Sequence, residues 1–277
     1  MRIINNKYAK NIEYNNNSNT CVLIFHGFAS TPYDMKNLAK TMSEQGYDVY
    51  VPLLPYHGQT YLQLLEFNLT EIFEWGKEKI AQKRSEYKTL IIIGVSIGSA
   101  MMYVSEISDP SADILIGLST GGVFSFGLRL FSFISRVIKI KFLPYSPIKD
   151  LELKYLDQGF LNWKKTNFEK MPMNLFVQAV RRSKYLNRKA KQITKPLLII
   201  NGSKDPATSK KATPYFINDA QNKIKLGVTV KGAGHLLLNT KYHEIVTEEI
   251  LNFIAKCQNL KPITKTNQFK TIKLNVK

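Results

Sequence analysis

A serine flanked by two glycines lies where an apolar segment gives way to small, helix-compatible residues. Gly94-Val95-Ser96-Ile97-Gly98 directly follows the apolar residues 89–93 and directly precedes residues 99–102. At a sharp turn between a strand and a helix, a serine is held in a strained conformation that exposes its hydroxyl, and the flanking glycines let the two elements approach closely. The pattern therefore predicts that Ser96 is a nucleophile.

A serine hydroxyl needs a base to remove its proton and a third group to orient that base. His235 follows a predicted strand in the short loop Gly232-Ala233-Gly234-His235, so we expect it to be the base. Asp205, in the loop after the strand predicted at 196–201, is the expected orienting acid. Asp219 is the runner-up, because it falls near the end of a predicted helix. We expect His243, on a helix face that carries acidic residues, to be solvated.

Negative charge on a substrate carbonyl oxygen needs backbone N–H donors that are already in place. One donor should be Ile97, which follows the nucleophile at a helix N-terminus. The other should be Phe28, in the loop His26-Gly27-Phe28 after the first core strand. His26 either hydrogen-bonds this loop or contacts substrate.

Strand-like and helical segments alternate along the chain, which predicts a mainly parallel sheet with helices on both faces. An asparagine-rich start, 1–18, is either an edge strand or a loose arm, and no element is predicted after Asn259. The predicted strands are 20–25, 48–54, 89–95, 112–118, 196–201 and 223–230, and the predicted helices are 32–45, 69–82, 97–106, 209–218 and 242–257.

Residues 121–194 interrupt this alternation, so we interpret them as a helical cap inserted into a core made of 1–120 and 195–277. An aromatic-rich segment inside the cap carries Phe124 and Phe126. Apolar side chains in such an insertion must cover something, and the mouth of the Ser96 site is the nearest candidate. We expect Phe124, Phe126, His26 and His57 to contact substrate. The alternative is a helix that packs on the sheet edge without a further role.

Charge and cysteine content limit the classes of partner. The 277 residues carry a net charge of +18, and many of the basic residues fall between Arg129 and Lys191. This excess indicates either a solvated lysine-rich surface or attraction to anionic lipid. No nucleic-acid-binding module is present.

Cysteine content and targeting signals bear on metal binding and location. The two cysteines are far apart in the chain, which predicts reduced thiols and no metal site. The sequence shows no signal-peptide pattern and no long apolar run, which predicts a cytoplasmic location, with peripheral membrane contact through the cap.

Two segments carry a resemblance to a known family. His26-Gly27-Phe28-Ala29-Ser30-Thr31-Pro32-Tyr33-Asp34-Met35 and the later segment 46–58, together with Ser96, Asp205 and His235 in that order, resemble the bacterial carboxylesterase and monoacylglycerol lipase branch of the α/β-hydrolase superfamily. The resemblance extends from Cys21 to Cys257. Two positions depart from the family pattern: Tyr56 and Ser99 stand where glycine is usual.

The resemblance implies an α/β-hydrolase fold and cleavage of short or medium acyl esters, or of monoacylglycerol-like lipids, through an acyl-enzyme without a cofactor. A thioesterase or an acyltransferase would use the same acyl-enzyme, and a non-catalytic ligand-binding homologue is the third alternative. A peptidase of the proline iminopeptidase kind favours a His-Gly-Gly-Pro-Gly loop, which the sequence lacks.

Overall fold

A central sheet organises the part of the chain that the computed structural model describes, which is residues 6–120, 126–144, 146, 151–174, 177–181, 190–258 and 269–274. The strands within these residues are β1 (Ile12–Tyr14), β2 (Thr20–Phe25), β3 (Asp48–Val51), β4 (Thr89–Val95), β5 (Ile114–Leu118), β6 (Phe142–Pro144), β7 (Lys170–Pro172), β8 (Leu197–Gly202), β9 (Lys225–Val230) and β10 (Phe269–Ile272). Eight of them pair in the order β1-β3-β2-β4-β5-β8-β9-β10. All neighbours are parallel except the edge strand β1, which is antiparallel to β3.

Helices cover both faces of this sheet, which is why its central strands are apolar on both sides. The helices whose bounds are described are α1 (Lys36–Glu44), α2 (Leu69–Glu86), α3 (Ile97–Ser108), α4 (Phe126–Val137), α5 (Gln158–Asn167), α6 (Ala212–Asp219) and α7 (His243–Gln258). Leu38 and Phe253 belong to the core on one face, where α1 and α7 pack. Ile72, Met101 and Phe216 belong to the core on the other face, where α2, α3 and α6 pack.

None of the described residues between β5 and β8 belongs to a strand of the central sheet. This stretch contains α4, β6, α5 and β7, and β6 pairs antiparallel with β7 in a separate two-stranded sheet. The sequence predicts a cap at 121–194, and this role stays a prediction. Phe124 lies outside the described residues, as do the other residues between 120 and 126.

The predicted α/β-hydrolase fold class is confirmed, and β2 and β4 have the predicted bounds. Other elements differ at their ends. The helix predicted at 32–45 begins as a 3-10 turn, Pro32–Met35, and becomes α-helical at Lys36. The sequence did not predict β10, which pairs with β9.

The prediction that His243 is solvated is wrong. It is the first residue of α7 and is buried, with its ring centroid 4.7 Å from that of Tyr155. Burial lowers the pKa of His243. The acidic residues Glu248 and Glu249 misled the prediction, because they are too far along the helix to define the surroundings of its first turn.

Both cysteines, Cys21 and Cys257, are free and buried. Burial raises the pKa of each thiol, to about 12 and about 11 respectively. No helix in the described part of the chain combines the length and the apolar character needed to cross a membrane.

Candidate active site

Ser96 lies between β4 and α3 in a strained backbone conformation, with φ 53° and ψ −108°. The flanking glycines make this turn possible. A Cβ atom on Gly94 would lie 2.5 Å from the backbone nitrogen of Ser99, and one on Gly98 would lie 2.3 Å from the carbonyl oxygen of Phe25. A side chain at either position would force backbone atoms to move, so this turn geometry requires glycine. The turn has the geometry that the sequence predicts for a nucleophile.

The carboxyl ends of neighbouring strands bring the other candidate residues to Ser96. The amide of Ser96 donates to the carbonyl of Leu118 at 2.9 Å, which ties the turn to the end of β5. The loops after β8 and β9 are in close contact, because a Cβ atom on Gly202 would lie 2.2 Å from the carbonyl oxygen of Gly234. Parallel pairing of these strands therefore places three chain-distant loops at one edge of the sheet.

The structure brings together the three residues that the sequence proposes as a catalytic set. The Nε2 atom of His235 is 3.0 Å from Ser96 Oγ, and its Nδ1 atom is 2.8 Å from Asp205 Oδ2. With the proton on Nδ1 donated to the carboxylate, Nε2 is free to accept the serine proton. The acid on His235 Nδ1 is Asp205, whereas Asp219 is the last residue of α6.

Asp205 is suited to remain a carboxylate. Its side chain is only 1% exposed, and burial by itself would raise the pKa. The hydrogen bond and charge of His235 act in the opposite direction, and the amides of Ala207 and Thr208 donate to Oδ1 at 2.8 and 3.1 Å. Together they lower the pKa of Asp205 below its ordinary value. The carboxylate is thus fixed in charge and in orientation.

The two predicted oxyanion donors flank the nucleophile. Ile97 is the first residue of α3, so its amide has no carbonyl four residues earlier in the helix to bond. The loop that carries Phe28 also lies against Ser96, because a Cβ atom on Gly27 would be 3.6 Å from the serine Cβ. The amide of Phe28 has no backbone acceptor among the described residues.

His26 is completely buried and braces this loop. Its Nδ1 is 2.9 Å from the carbonyl oxygen of Gly27, and its Nε2 accepts the amide of Leu54 at 3.0 Å. Burial, together with the neighbouring His57, lowers its pKa well below the ordinary value, so the ring is neutral. Both ring nitrogens are used by backbone groups, which favours the loop-bracing interpretation over substrate contact.

His57 has one ring nitrogen free. Its Nδ1 is 2.8 Å from the carbonyl oxygen of Pro55, whereas Nε2 is buried and has no partner among the described residues. Burial lowers the pKa of His57 to about 4, so Nε2 is an acceptor near neutral pH. The rings of Phe28 and Phe67 lie 5.8 and 6.2 Å from that of His57. His57 therefore lies in an aromatic environment beside the loop 26–31, which carries the predicted oxyanion donor Phe28 and is called the oxyanion loop below.

For the two cap phenylalanines, Phe124 and Phe126, substrate contact stays a prediction. Phe124 lies outside the described residues, and Phe126 begins α4. At the two departures from the family pattern, Tyr56 adopts φ 65°, a region that favours the usual glycine, and the hydroxyl of Ser99 donates to the carbonyl of Ser96 at 2.6 Å. No cluster of potential metal ligands occurs in the described part of the chain.

Two residues that the sequence does not single out, Ser119 and Asn201, support the site. Ser119, at φ 48°, donates its hydroxyl to the carbonyl of His235, and Asn201 accepts the amide of Thr120 at 2.7 Å. These residues follow or end strands, as Ser96 and Asp205 do. Their position at strand ends was the available signal, but a serine or an asparagine alone does not indicate which partner it bonds.

The chain is similar in sequence to a family of serine hydrolases and to two bacterial esterases. A model of the family described as serine aminopeptidase, S33, matches residues 16–242. A carboxylesterase from Bacillus subtilis (strain 168) is 23% identical over 252 residues, which cover 85% of this chain and 92% of that protein. A thermostable monoacylglycerol lipase from Bacillus sp. (strain H-257) is 29% identical over 94 residues, so this match covers 34% of the chain and only 38% of the lipase.

Solved structures share the fold. One comes from a study of LipS and LipT, two metagenome-derived lipolytic enzymes. It superposes with a TM-score of 0.75 at 18% sequence identity, and the match covers 90% of this chain and 98% of the other chain. A soluble variant of monoglyceride lipase from Saccharomyces cerevisiae, in complex with a substrate analogue, gives a TM-score of 0.69 at 16% identity, with 86% and 87% coverage. At these identities the likeness establishes the α/β-hydrolase fold.

Proposed function

Because the chain belongs to the serine aminopeptidase S33 family of α/β hydrolases, we propose that it cleaves carboxylic esters through an acyl-enzyme on Ser96. The observation that carries the proposal is the continuous contact from Ser96 Oγ to His235 Nε2, at 3.0 Å, and from His235 Nδ1 to Asp205 Oδ2, at 2.8 Å. The carboxylesterase and the monoacylglycerol lipase among the relatives support an ester over other acyl substrates.

Acylation begins when Ser96 Oγ attacks the ester carbonyl carbon and His235 Nε2 takes the hydroxyl proton. The imidazolium that forms is stabilised by the Asp205 carboxylate, which keeps its charge throughout. His235 then donates the proton to the leaving alcohol as the ester C–O bond breaks. In the second half, His235 takes a proton from water as the water oxygen attacks the acyl carbon. His235 then returns this proton to Ser96 Oγ as the bond between the acyl carbon and Oγ breaks, which releases the acid and regenerates the serine.

The amides of Phe28 and Ile97 would donate to the carbonyl oxygen as it gains negative charge. Loss of one such donor typically costs about 3 kcal/mol of transition-state stabilisation. His26 contributes indirectly in this scheme, because its bonds to Gly27 and Leu54 hold the loop that carries Phe28.

We extend the proposal to amphiphilic esters of the monoacylglycerol type, presented at a lipid surface. Large apolar side chains are exposed on α4 and at Ile138, the residue directly after it. Phe133 is 63% exposed and Ile138 61% exposed, and Leu130 and Ile134 are exposed as well. Exposed basic residues flank this apolar surface: Arg129, Lys139 and Lys141. An apolar helix face with cationic neighbours suits adsorption to anionic lipid.

The test is hydrolysis of p-nitrophenyl esters from acetate to palmitate by the wild type and by Ser96→Ala. We expect turnover that disappears with Ser96→Ala and is faster with micellar than with monomeric esters. A folded wild type without turnover would contradict ester hydrolysis. Equal rates on monomeric and micellar esters, with no binding to anionic vesicles, would contradict the lipid-surface proposal alone.

The same assay separates the rival activities. The family name includes aminopeptidase, and a thioesterase or an acyltransferase shares the acyl-enzyme, so amino-acid p-nitroanilides, acyl thioesters and an alcohol acceptor are added as parallel substrates. We expect the oxygen esters to have the highest kcat/KM. A higher value for an anilide or a thioester would replace the proposed reaction with that one. A non-catalytic homologue would process none of these substrates.

A further inference from the structure

A buried ion pair joins the segment between β5 and β8 to the turn that follows the oxyanion loop. Lys164, on α5, places Nζ 2.7 and 2.8 Å from the two carboxylate oxygens of Asp34. The lysine is 3% exposed and the aspartate 5% exposed. The two residues are 130 positions apart in the chain. Such deep burial of both charges is unusual, because lysine and aspartate are seldom fully buried unless paired.

The carboxylate of Asp34 also holds the oxyanion loop. Oδ2 accepts the hydroxyl of Ser30 at 2.7 Å and the amide of Thr31 at 3.0 Å. Ala29, between these residues and Phe28, has φ 49°, which is strained for a residue with a Cβ atom. Strained conformations persist only where the surrounding contacts fix them. The bonds from Asp34 act on the two residues directly after this strained position.

Two further contacts place the pair at a junction of the site. Asn239, four residues after His235, donates its side-chain amide to the carbonyl of Asp34. From α5 and its C-terminal end, Trp163 and Phe168 pack in the same apolar cluster as Ala29 and Phe28. The pair therefore touches the segment between β5 and β8, the oxyanion loop and the loop after the proposed base.

A gain in folding stability does not explain why Lys164 and Asp34 are buried as a charged pair. Removing two charges from water costs several kcal/mol per ion, and replacing a buried pair with neutral residues of similar volume is often neutral or stabilising. A role in positioning explains the pair better. The Asp34 carboxylate makes four hydrogen bonds, two with Lys164 and one each with Ser30 and Thr31, and these directional bonds fix where α5 lies against the loop. Apolar contacts alone are not directional.

We infer that Lys164 and Asp34 are positioning residues that hold the Phe28 amide in its productive place by anchoring the oxyanion loop to α5. The inference rests on the proposed ester hydrolysis. Both residues are buried and are proposed to act only through the loop, so their loss should lower kcat more than it changes KM.

The experiment compares Lys164→Met with Lys154→Met. Lys154 is a matched control, because it also joins this segment to the core through an ion pair, at 2.6 Å to Glu244, but that pair is exposed. The readouts are kcat and KM with a p-nitrophenyl ester, and hydrogen exchange of the backbone amides in residues 26–34. Exchange does not depend on turnover, so it reports on the anchor even if ester hydrolysis itself proves wrong.

For Lys164→Met we expect kcat to fall at least tenfold, KM to change less than threefold, and exchange in residues 26–34 to rise at least tenfold. Lys154→Met should remain within twofold on all three. Unchanged exchange and kcat in Lys164→Met would overturn the inference. A wild type that lacks turnover would overturn the proposed function, while faster loop exchange in Lys164→Met would still support the anchor.

A second variant covers the case in which Lys164→Met fails to fold. Asp34→Asn with Lys164→Met removes both charges, so we expect it to fold while kcat stays at least tenfold low and loop exchange stays fast. If the double variant recovers wild-type kcat together with its stability, the pair is merely structural and the inference is wrong.

Discussion

The carbonyl oxygen of Phe25 lies so close to Gly98 that a Cβ atom there would be 2.3 Å away. The turn that carries Ser96 is therefore in backbone contact with the start of the loop that carries Phe28. The proposed nucleophile and one proposed oxyanion donor are spaced by this contact, and the absence of a side chain at Gly98 sets the distance between them.

Gly98→Ala should separate these two elements. Because the methyl group meets backbone atoms, α3 or the loop after β2 must shift by about 1 Å, and we expect kcat to fall about 10- to 100-fold. Gly234→Ala is the control, since a Cβ atom at Gly234 meets nothing within 4 Å. Steady-state kinetics on both variants checks the prediction, and a fully active Gly98→Ala enzyme would refute it.

Asp205→Asn should leave the fold intact and nearly abolish turnover. The amide group can donate to His235 Nδ1, which favours the tautomer with the proton on Nε2 and leaves no acceptor for the serine proton. A loss of about 10⁴ in kcat is expected for such a change. Asp219→Asn makes the same substitution at the rival acid and should retain activity. The reverse result, with activity lost only in Asp219→Asn, would reassign the acid.

Glu106 should make stability depend on pH. Burial raises the pKa of this carboxyl to about 7, and its Oε1 atom has no partner in the described residues. The folded state then holds a proton that the unfolded chain releases near 4.5, so the free energy of unfolding falls as pH rises from about 4.5 to about 7 and levels off above that. The total fall is at most about 3 kcal/mol.

Glu106→Gln should remove this fall, because the amide stays neutral and can still accept the amide of Ala112. Urea unfolding between pH 5 and pH 8 measures the effect. We expect the variant to be more stable than the wild type by about 1 to 3 kcal/mol at pH 8 and similar to it at pH 5. Glu78→Gln, on an exposed position of α2, controls for the change in net charge. Equal pH dependence in the wild type and Glu106→Gln would show that this carboxyl is not the cause.

The exposed apolar surface after β5 should bind anionic lipid. Replacing Phe133 and Ile138 with serine removes two large apolar side chains, each worth about 1 to 2 kcal/mol when buried in lipid, so vesicle affinity should fall at least tenfold. Phe269→Ser is the control, because Phe269 is 45% exposed on β10. Sedimentation with anionic vesicles at low and high salt measures binding. Equal affinity in all three proteins would remove α4 from the lipid contact.

The sequence was sufficient to predict the fold class and the elements next to Ser96. The strands β2 and β4 are apolar on both faces and bounded by polar residues, so their ends could be read directly. The loops of Asp205 and His235 followed from strands that were almost as clear. Membership of the S33 family confirms the prediction of an α/β hydrolase.

Other features depend on contacts that a local pattern does not contain. Three of the four residues of β10 are exposed, so this strand lacks the apolar alternation that would predict it. The pairing of Lys164 with Asp34 joins a helix and a turn 130 residues apart, and a lysine on a helix ordinarily indicates a solvated face. Burial of His243 likewise arises from Tyr155, on a segment that the sequence treats only as part of the cap.

The measurement that tests the central claim most directly is the site of covalent labelling by a fluorophosphonate, located by mass spectrometry of the digested protein. We predict a single adduct on the peptide that contains Ser96 in the wild type, strongly slowed labelling in His235→Ala, and no adduct in Ser96→Ala. Labelling at another residue, or undiminished labelling of Ser96→Ala, would contradict the assignment of Ser96 as the nucleophile.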